Sequence, residues 1–452
     1  MPSCGELYPL VHAWVQALPA LRPRHPAVLS GLAHLVTALL VGQSLRPTAL
    51  MRALLSPVPV PARQRYKRLA RAWDRPWLSP AWLTPCLVPA ALALVAPDPP
   101  GRPTAGLTHL VLDSVHCGGW EVFTLGVAWH GRVLLVGWAV LPAPLPKGRF
   151  TPTVCALVRQ VAAVWPAERP VHLVADRGFP SRALFQVLHE LGWGWTIRLR
   201  AANFVRVDDG PARRVRTWLD EARANAWSRY PRAQFTPGLQ APIGELVIGR
   251  GLPVLPWHQR GTASLRARAD QDGRRQHHVA HKHPRQRPDA SCQTDTWMVL
   301  FSSHVAWLPA VTSYSRRWAI EGSYRDAKTG WDGQHGWDLA TTLARLSDAV
   351  LVERIVGLWA LGTALQTWLG HCVSLPEADA PLLPVRREWT TTGRLSVWAR
   401  GQLALTDPSG RLRPWLRQAL ALGARQLQAG PLLASPPDPL MAHLPPDQLR
   451  AA

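Results

Sequence analysis

Lysine is scarce in this chain of 452 residues. Only four of its 51 basic residues are lysines, namely Lys67, Lys147, Lys282 and Lys328. A GC-rich coding sequence drifts toward arginine, and such drift accounts for most of the imbalance. Where a lysine persists against the drift, we expect its compact point charge to be needed at that position.

Cysteine and long apolar runs are also sparse. The six cysteines include no C-x-x-C pair, which argues against a disulfide framework or a zinc knuckle and indicates a reducing cytosol. The N-terminus has no basic segment followed by an apolar core, so we expect no signal peptide. The longest apolar run, 355–370, is short for a membrane span and predicts a buried helix. These absences predict a cytoplasmic protein with no membrane partner.

Positive charge is what the chain has in excess. Its formal net charge is +22, which favours a polyanionic partner, and nucleic acid is the commonest one. Ribosomal and chromatin proteins are also basic, but they are usually smaller and poorer in tryptophan, and this chain has 23 tryptophans. The length and a hydrophobic content of 47% allow two or three domains with real cores.

The pattern along the chain divides it into four regions. The basic segment 61–76 reads as a helix that either contacts a DNA backbone or presents an ordinary solvated face. A Pro- and Gly-rich linker at 96–106 marks a domain boundary. We predict a helical N-terminal DNA-binding region over 1–100, a catalytic core over 107–200 and 298–372, a basic β-rich insertion over 201–297, and a Pro-rich C-terminal region over 373–452 with a candidate role in dimerisation.

The core region predicts an α/β fold. Its elements read as three strands in a meander, a helix, a strand, a helix and a fifth strand. A meander followed by two crossover strands gives a mixed five-stranded sheet with the order 3-2-1-4-5. Strands 1 and 4 are then parallel neighbours, and the strand order reverses between them.

Two acidic residues end those neighbouring strands, Asp113 after "LVL" and Asp176 after "LVA". Ligands in open sheets bind beyond the carboxyl ends of the strands, at the point where strand order reverses. Two carboxylates there can share hard divalent cations, because Mg²⁺ prefers oxygen ligands. A third carboxylate would complete a two-metal site for phosphoryl transfer.

The segment "YSRRWAIEGSYRDAK" (314–328) offers the third carboxylate. The spacing of Tyr314, Arg317, Glu321 and Lys328 places all four on one face of a helix predicted over 306–328. The alternative is an ordinary ion-paired surface helix, with Glu321 bonded to arginines four residues away on either side. Asp326 lies five residues from Glu321, so we expect it to point elsewhere.

These segments resemble those of the DDE transposases of bacterial insertion sequences, in the insertion-sequence-four family. Tyr314, Arg317, Glu321 and Lys328 match the family pattern Y-x2-R-x3-E-x6-K at every spacing. "LVLDSV" and "VADRGF" are similar to the segments around the family's first and second catalytic aspartates. The resemblance covers roughly 60 to 350.

The resemblance implies a ribonuclease H-like catalytic core and a specific site. Asp113, Asp176 and Glu321 would bind two Mg²⁺ ions, for which Mn²⁺ is expected to substitute, and would cleave and join phosphodiesters. Tyr314, Arg317 and Lys328 would hold DNA phosphates. The partners would be double-stranded DNA, both the terminal inverted repeats and the target, and the enzyme would act as a homodimer on that DNA at the bacterial nucleoid.

The resemblance also implies a base-stacking role for Trp297, because the family flips a base out beside the break. The alternative is a core or sheet aromatic. Two other functions stay open for the whole chain. One is a nuclease or resolvase on the same fold that cuts without joining, and the other is a DNA-binding relic without catalysis. Four histidines within 277–283 offer either zinc ligands or a solvated or DNA-facing loop.

Overall fold

The computed structural model of the chain describes residues 4–18, 26–54, 61–129, 131–236, 242–250, 297–328 and 337–373, together with 405, 420 and 421. The histidines within 277–283, and all but those last three residues of the C-terminal region beyond 373, lie outside the described residues. The chain divides into two compact units, one of Met1–Gly194 with Ser313–Pro436 and one of Trp195–Thr312 with Pro437–Ala452.

Helices form most of the first hundred described residues, as the apolar spacing predicts. They are α1 (Cys4–Ala17), α2 (Pro26–Gly42), α3 (Pro47–Ala53), α4 (Ala62–Trp73) and α5 (Pro80–Leu94), with a 3-10 turn at Pro76–Leu78. Leu32, Val36 and Leu39 of α2 are fully buried at intervals of four and three residues. Residues 35 to 40 are all buried as well, so this part of α2 is enclosed on every side.

Most of the surface of α4 is exposed. Its buried residues, Leu69 and Trp73, lie one turn apart and form a narrow apolar stripe. Tyr66 is 58% exposed on the same helix. The remaining face carries five cations, Arg63, Arg65, Lys67, Arg68 and Arg71. The predicted basic helix is therefore present, and its charges point mainly to solvent.

Four strands of the first unit frame the acidic residues. They are β1 (Thr108–Cys117), β2 (Trp120–Trp129), β3 (Arg132–Pro142) and β4 (Val171–Ala175), and α6 (Phe150–Ala162) precedes β4 while α7 (Arg182–Glu190) follows it. β1, β2 and β3 form an antiparallel meander. β1 pairs in parallel with β4, because the crossover through α6 returns the chain in the same direction. This mixed α/β arrangement agrees with the predicted fold class.

The second unit is rich in strands. They are β5 (Gly194–Arg198), β6 (Phe204–Val207), β7 (Arg213–Arg214), β8 (Ala226–Thr236), β9 (Ile243–Arg250) and β10 (Trp297–Ser302), with α8 (Val215–Glu221) between β7 and β8. β8, β9 and β10 pair antiparallel with their neighbours. The predicted β-rich character of the insertion is found in its described part.

Among the described residues, the sheet has ten strands in the order β3-β2-β1-β4-β5-β10-β9-β8-β6-β7, so the prediction of five strands was wrong. The predicted order 3-2-1-4-5 matches one part of it. The reason lies beside β5, where Phe301 of β10 pairs with Ile197 and both side chains are fully buried. An open apolar edge would leave backbone groups unpaired, and β10 covers that edge.

The remaining described helices follow β10. They are α9 (Trp307–Ser315), α10 (Trp318–Lys328), α11 (Leu339–Leu343) and α12 (Ala349–Val373). By length and composition alone, Ala349–Gly370 could cross a membrane, and so could the bent pair of α2 and α3 taken together. However, 72% of the apolar window in Ala349–Gly370 is buried inside the structure, which is typical of a core helix. The buried helix predicted over 355–370 is confirmed.

Candidate active site

Asp113 and Asp176 lie side by side at the end of the ladder that β1 and β4 share. Asp113 does not end its strand as predicted, because β1 continues to Cys117 in its pairing with β2. β1 and β4 are parallel, and the last pair in their register is Leu112 with Ala175. Asp113 follows Leu112 and Asp176 follows Ala175, so both carboxylates stand at the carboxyl end of the shared ladder. This is the place that the predicted strand order assigns to them, at the reversal of the sheet order.

Glu321 reaches this end of the sheet from α10, but the predicted single helix over 306–328 was wrong. α9 ends at Ser315 and α10 begins at Trp318. Between them, the backbone N–H of Arg317 donates to the carbonyl of Tyr314 at 3.0 Å, and the N–H of Ile320 donates to the carbonyl of Arg317 at 3.1 Å. These are bonds between residues three apart, which tighten the chain into a turn.

Buried partners explain the break between the helices. Arg316 donates to the carboxylate of Asp98 at 3.0 Å, and that carboxylate is only 5% exposed. The next residue, Arg317, donates to Asp113 at 3.3 Å. The hydroxyl of Ser313, on the last turn of α9, lies 3.0 Å from Nε2 of His109. Asp113 and His109 are on β1 and Asp98 is in the linker before it, so these contacts hold the end of α9 and the turn against that part of the chain. Tertiary contacts of this kind outweigh local helix propensity.

Arg317 lies among the acidic residues. Its Nη1 donates to Oδ2 of Asp113 at 3.3 Å, and its Nη2 donates to Oε1 of Glu321. The side chain is only 6% exposed, whereas that of Glu321 is 42% exposed. Its Cζ is 4.8 Å from the ring centre of Trp318 and 5.9 Å from that of Tyr314. The guanidinium therefore has carboxylates at its donors and aromatic rings close by.

Tyr314 and Lys328 are the first and last residues of the signature, the pattern Y-x2-R-x3-E-x6-K. The hydroxyl of Tyr314 donates to Oδ1 of Asp176 at 3.1 Å, and the residue is 2% exposed. Nζ of Lys328 lies 3.4 Å from the carbonyl of His116, and the side chain remains partly accessible. The structure thus brings five of the predicted site residues together around the strand ends, with Lys328 two helical turns farther along α10.

Burial and like charges set the protonation of Asp113. The pKa of its carboxyl is raised to about 6, mainly by burial and to a smaller extent by the charges of Asp176 and Glu321, while Arg317 and the N–H of Ser114 act in the opposite direction. Burial by itself would lower the pKa of Arg317. The surrounding acidic groups outweigh that effect and raise it well above its ordinary value. The guanidinium is therefore charged at every accessible pH.

The donor chemistry of the three carboxylates suits a divalent cation. Asp113, Asp176 and Glu321 supply hard oxygen donors, which Mg²⁺ prefers. Within the part of the chain that the structure describes, however, no three His, Cys, Asp or Glu side chains form a group that could hold a metal ion. Arg317 bonds two of the carboxylates instead. Asp113, Asp176 and Glu321 are the residues that would hold the metal after a rearrangement of these contacts.

The opposite side of α10 is fixed by residues that the sequence did not single out as site residues. Arg132, at the start of β3, donates from both Nε and Nη2 to the carboxylate of Asp326, which is 1% exposed. The backbone N–H of Val133 donates to the hydroxyl of Ser323 at 3.0 Å. Asp326 therefore points away from the site, as its five-residue offset from Glu321 predicted. The position of Asp326 on the inner face of the helix was the sequence signal that could have indicated a buried basic partner such as Arg132.

Trp297 opens β10 in the second unit. It pairs with Arg250 of β9 and is half-buried, whereas the five residues after it in β10 are buried. An aromatic ring at the first position of a strand is less enclosed than one in the middle. The base-stacking role that the resemblance implies for Trp297 stays a prediction.

The chain was compared with protein-family models and with curated proteins. No family model matches the chain, and no curated protein matches it.

Proposed function

We propose that the chain is a DNA transposase of the DDE type, with a ribonuclease H-like core that cleaves DNA at the ends of an insertion sequence and joins those ends to target DNA. The observation that carries the proposal is the convergence of Asp113, Asp176 and Glu321. Three separate elements supply them, and Tyr314 and Arg317 of the same signature contact them. An ordinary ion-paired surface helix has no need of two aspartates at neighbouring strand ends.

The core strands also support the proposal. β1 lies between β2, which is antiparallel to it, and β4, which is parallel to it. This is the part of the order 3-2-1-4-5 on which a ribonuclease H-like sheet depends. The first aspartate then stands on β1, the meander strand next to β4, and the second directly follows β4.

The chain's own residues divide the work in this proposal. Asp113, Asp176 and Glu321 hold Mg²⁺, which when bound activates the attacking hydroxyl and stabilises the charge on the leaving oxygen. Arg317 and Lys328 bind phosphates of the DNA backbone, since arginine offers planar paired donors and lysine a point charge. Tyr314 is buried and donates to Asp176, so in this proposal it orients that carboxylate and does not bind a phosphate, which is the role that the resemblance implies. Trp297 stacks on a flipped base.

DNA binding outside the core is assigned to α4 and to the basic second unit. The exposed cations of α4, together with the accessible ring of Tyr66, suit a duplex backbone. The net charge of +22 has the sign and size that such a partner requires. We place the enzyme in the bacterial cytoplasm at the nucleoid, and we expect it to act as a homodimer on paired DNA ends.

A relocation assay in cells tests the proposed function. A marker gene is placed between the DNA segments that flank the coding region, and the chain is supplied from a second plasmid. We expect the wild type to move the marker to new sites, and we expect Glu321→Gln to abolish relocation. Glu190→Gln is the matched control, because Glu190 is a 48% exposed carboxylate paired with Arg159. Flanking repeats without any relocation by the wild type would contradict the proposal.

A further inference from the structure

Asp113, Asp176 and Glu321 form an acidic cluster in the first unit, and a cation of the protein itself, Arg317, already lies within it. Oδ2 of Asp113 and Oε1 of Glu321 both accept hydrogen bonds from the terminal nitrogens of Arg317. Two of the oxygens that a divalent ion could use, one on Asp113 and one on Glu321, are thus engaged by a guanidinium. A carboxylate oxygen that accepts a charge-assisted bond from arginine has to give up that bond before it can coordinate a metal closely.

One hydrogen-bond donor of the Arg317 guanidinium is left unsatisfied by the described part of the chain. Its Nε is buried and has no hydrogen-bond partner among the described residues. A buried donor without a partner costs on the order of 1–3 kcal/mol. The rings of Trp318 and Tyr314 close to Cζ retain the charge near the cluster without supplying an acceptor for Nε. A phosphate oxygen would supply such an acceptor.

The neighbouring Arg316 shows what a structural arginine looks like at the same turn. Its partner is Asp98, which also accepts a hydrogen bond from Thr104 and lies 3.6 Å from Nδ1 of His109. None of these groups belongs to the acidic cluster. Two consecutive arginines thus bind two different carboxylate sites, since Arg316 bonds Asp98 and Arg317 bonds Asp113 and Glu321.

We propose that Arg317 occupies the carboxylate cluster as an internal cation in the metal-free protein, that it competes there with the divalent metal, and that a DNA phosphate releases it. The inference rests on the proposed function, since it takes Asp113, Asp176 and Glu321 as the metal ligands. The exchange replaces one cation with another, so the cluster always has a positive charge beside it. It leaves the cluster closed to metal until DNA is present.

Thermodynamic linkage follows from this competition. If phosphate binding removes Arg317 from the carboxylates, DNA raises the affinity for metal, and metal raises the affinity for DNA by the same factor. Removal of the guanidinium removes the competitor. In a variant without this guanidinium, the cluster is therefore expected to bind a divalent ion more tightly in the absence of DNA, and DNA is not expected to increase that affinity.

The test measures Mn²⁺ binding to the purified full chain by electron paramagnetic resonance of the free ion, without any activity readout. The variants are Arg317→Gln, Arg317→Lys and, as control, Arg159→Gln, which removes an exposed arginine away from the turn. We expect Arg317→Gln to bind Mn²⁺ about ten-fold more tightly than the wild type, in the range usual for coupled sites. Arg317→Lys is expected to lie between the two, and Arg159→Gln is expected to match the wild type.

A second variant locates the ion. Adding Asp113→Asn to Arg317→Gln is expected to remove the tight binding, and a thermal scan is expected to show a larger Mn²⁺-induced rise in melting temperature for Arg317→Gln than for the wild type. Equal or weaker Mn²⁺ affinity in Arg317→Gln, with binding still dependent on Asp113, would overturn the competition and leave the proposed metal site intact. Binding that is indifferent to Asp113 in every variant would overturn both.

Discussion

Arg132 and Asp326 form a buried ion pair on the side of α10 that faces away from the acidic cluster. The guanidinium is 8% exposed and the carboxylate 1% exposed, and two nitrogens of Arg132 bond the carboxylate. The pair joins the first residue of β3 to the helix that carries Glu321. It fixes the rotation of α10, and so it determines that Glu321 faces the strand ends.

Breaking this pair is expected to destabilise the fold strongly. Asp326→Ala leaves a buried arginine uncompensated, which typically costs about 3–5 kcal/mol of the free energy of unfolding. Urea denaturation followed by tryptophan fluorescence measures the loss. Glu190→Ala serves as control, since its pair with Arg159 is about half exposed and is expected to contribute less than about 1 kcal/mol. Equal losses in the two variants would contradict the role assigned to the buried pair.

Gly322 is expected to be needed for the same contact. A Cβ at this position would lie 2.6 Å from Nη1 of Arg132 and 3.2 Å from the carbonyl of Gly131. In an open helix, Gly→Ala gains up to about 1 kcal/mol. Here we expect Gly322→Ala to lower the free energy of unfolding instead, by about 1 kcal/mol, because overpacking outweighs that gain.

Chemical denaturation of Gly322→Ala and of Gly119→Ala, where a Cβ meets nothing within 4 Å, separates the two effects. In a double-mutant cycle, we expect Arg132→Met to remove the penalty of the Gly322 substitution. A Gly322→Ala variant more stable than the wild type would show that Arg132 can move aside without cost.

The acidic cluster predicts a pH dependence with a definite sign. The pKa of Asp113 is raised to about 6 from its ordinary 3.8. A carboxyl with a raised pKa holds its proton more tightly in the folded state, so its stabilising contribution is complete below about pH 4 and is lost as the pH rises through about 6. In chelator, we expect the wild type to lose up to about 3 kcal/mol relative to Asp113→Asn across that window.

Urea midpoints of the two proteins across that pH range measure this difference. Added Mg²⁺ is expected to reduce it, because the metal favours the ionised carboxylate. Parallel stability curves for the wild type and Asp113→Asn would contradict the burial and like-charge repulsion assigned to this residue.

The exposed face of α4 predicts salt-dependent DNA binding. Replacing Lys67 or Arg71 with alanine removes one phosphate contact each, which should lower the slope of log affinity against log salt by about 1. Fluorescence anisotropy with a labelled duplex measures the slope. Arg159→Ala is the matched control, as it removes an exposed cation that is paired with Glu190. An unchanged slope in the α4 variants would assign DNA binding to other surfaces.

Much of the acidic cluster was predictable because it depends on short-range patterns. Asp176 follows the apolar strand β4 and Asp113 follows the apolar first half of β1, and the crossover rule makes these two strands parallel neighbours. The spacing of the signature then places Glu321 and Arg317 one helical turn apart. Asp326 was correctly set aside for the same reason, since helical geometry turns it away from Glu321.

The turn at Arg316 and Arg317 was not predictable, because its causes lie elsewhere in the chain. Asp98 is in the linker before β1 and His109 is on β1, about 200 residues from the turn. Nothing in the spacing of 314–328 records those partners, so the periodic pattern predicts an unbroken helix. The ten-stranded sheet was missed for a similar reason, since the pairing of β10 with β5 joins segments about 100 residues apart.

The central claim is that Asp113, Asp176 and Glu321 form a metal-dependent centre that cuts and joins DNA. The most direct measurement incubates DNA carrying the element's own ends with Mg²⁺ and either wild type or Glu321→Gln, and resolves the products on denaturing gels. We predict cleavage at the ends and joined products with the wild type, and neither with the variant, although it still binds the DNA. Cleavage without joining would indicate a nuclease, and binding without cleavage by the wild type would contradict a catalytic role for the cluster.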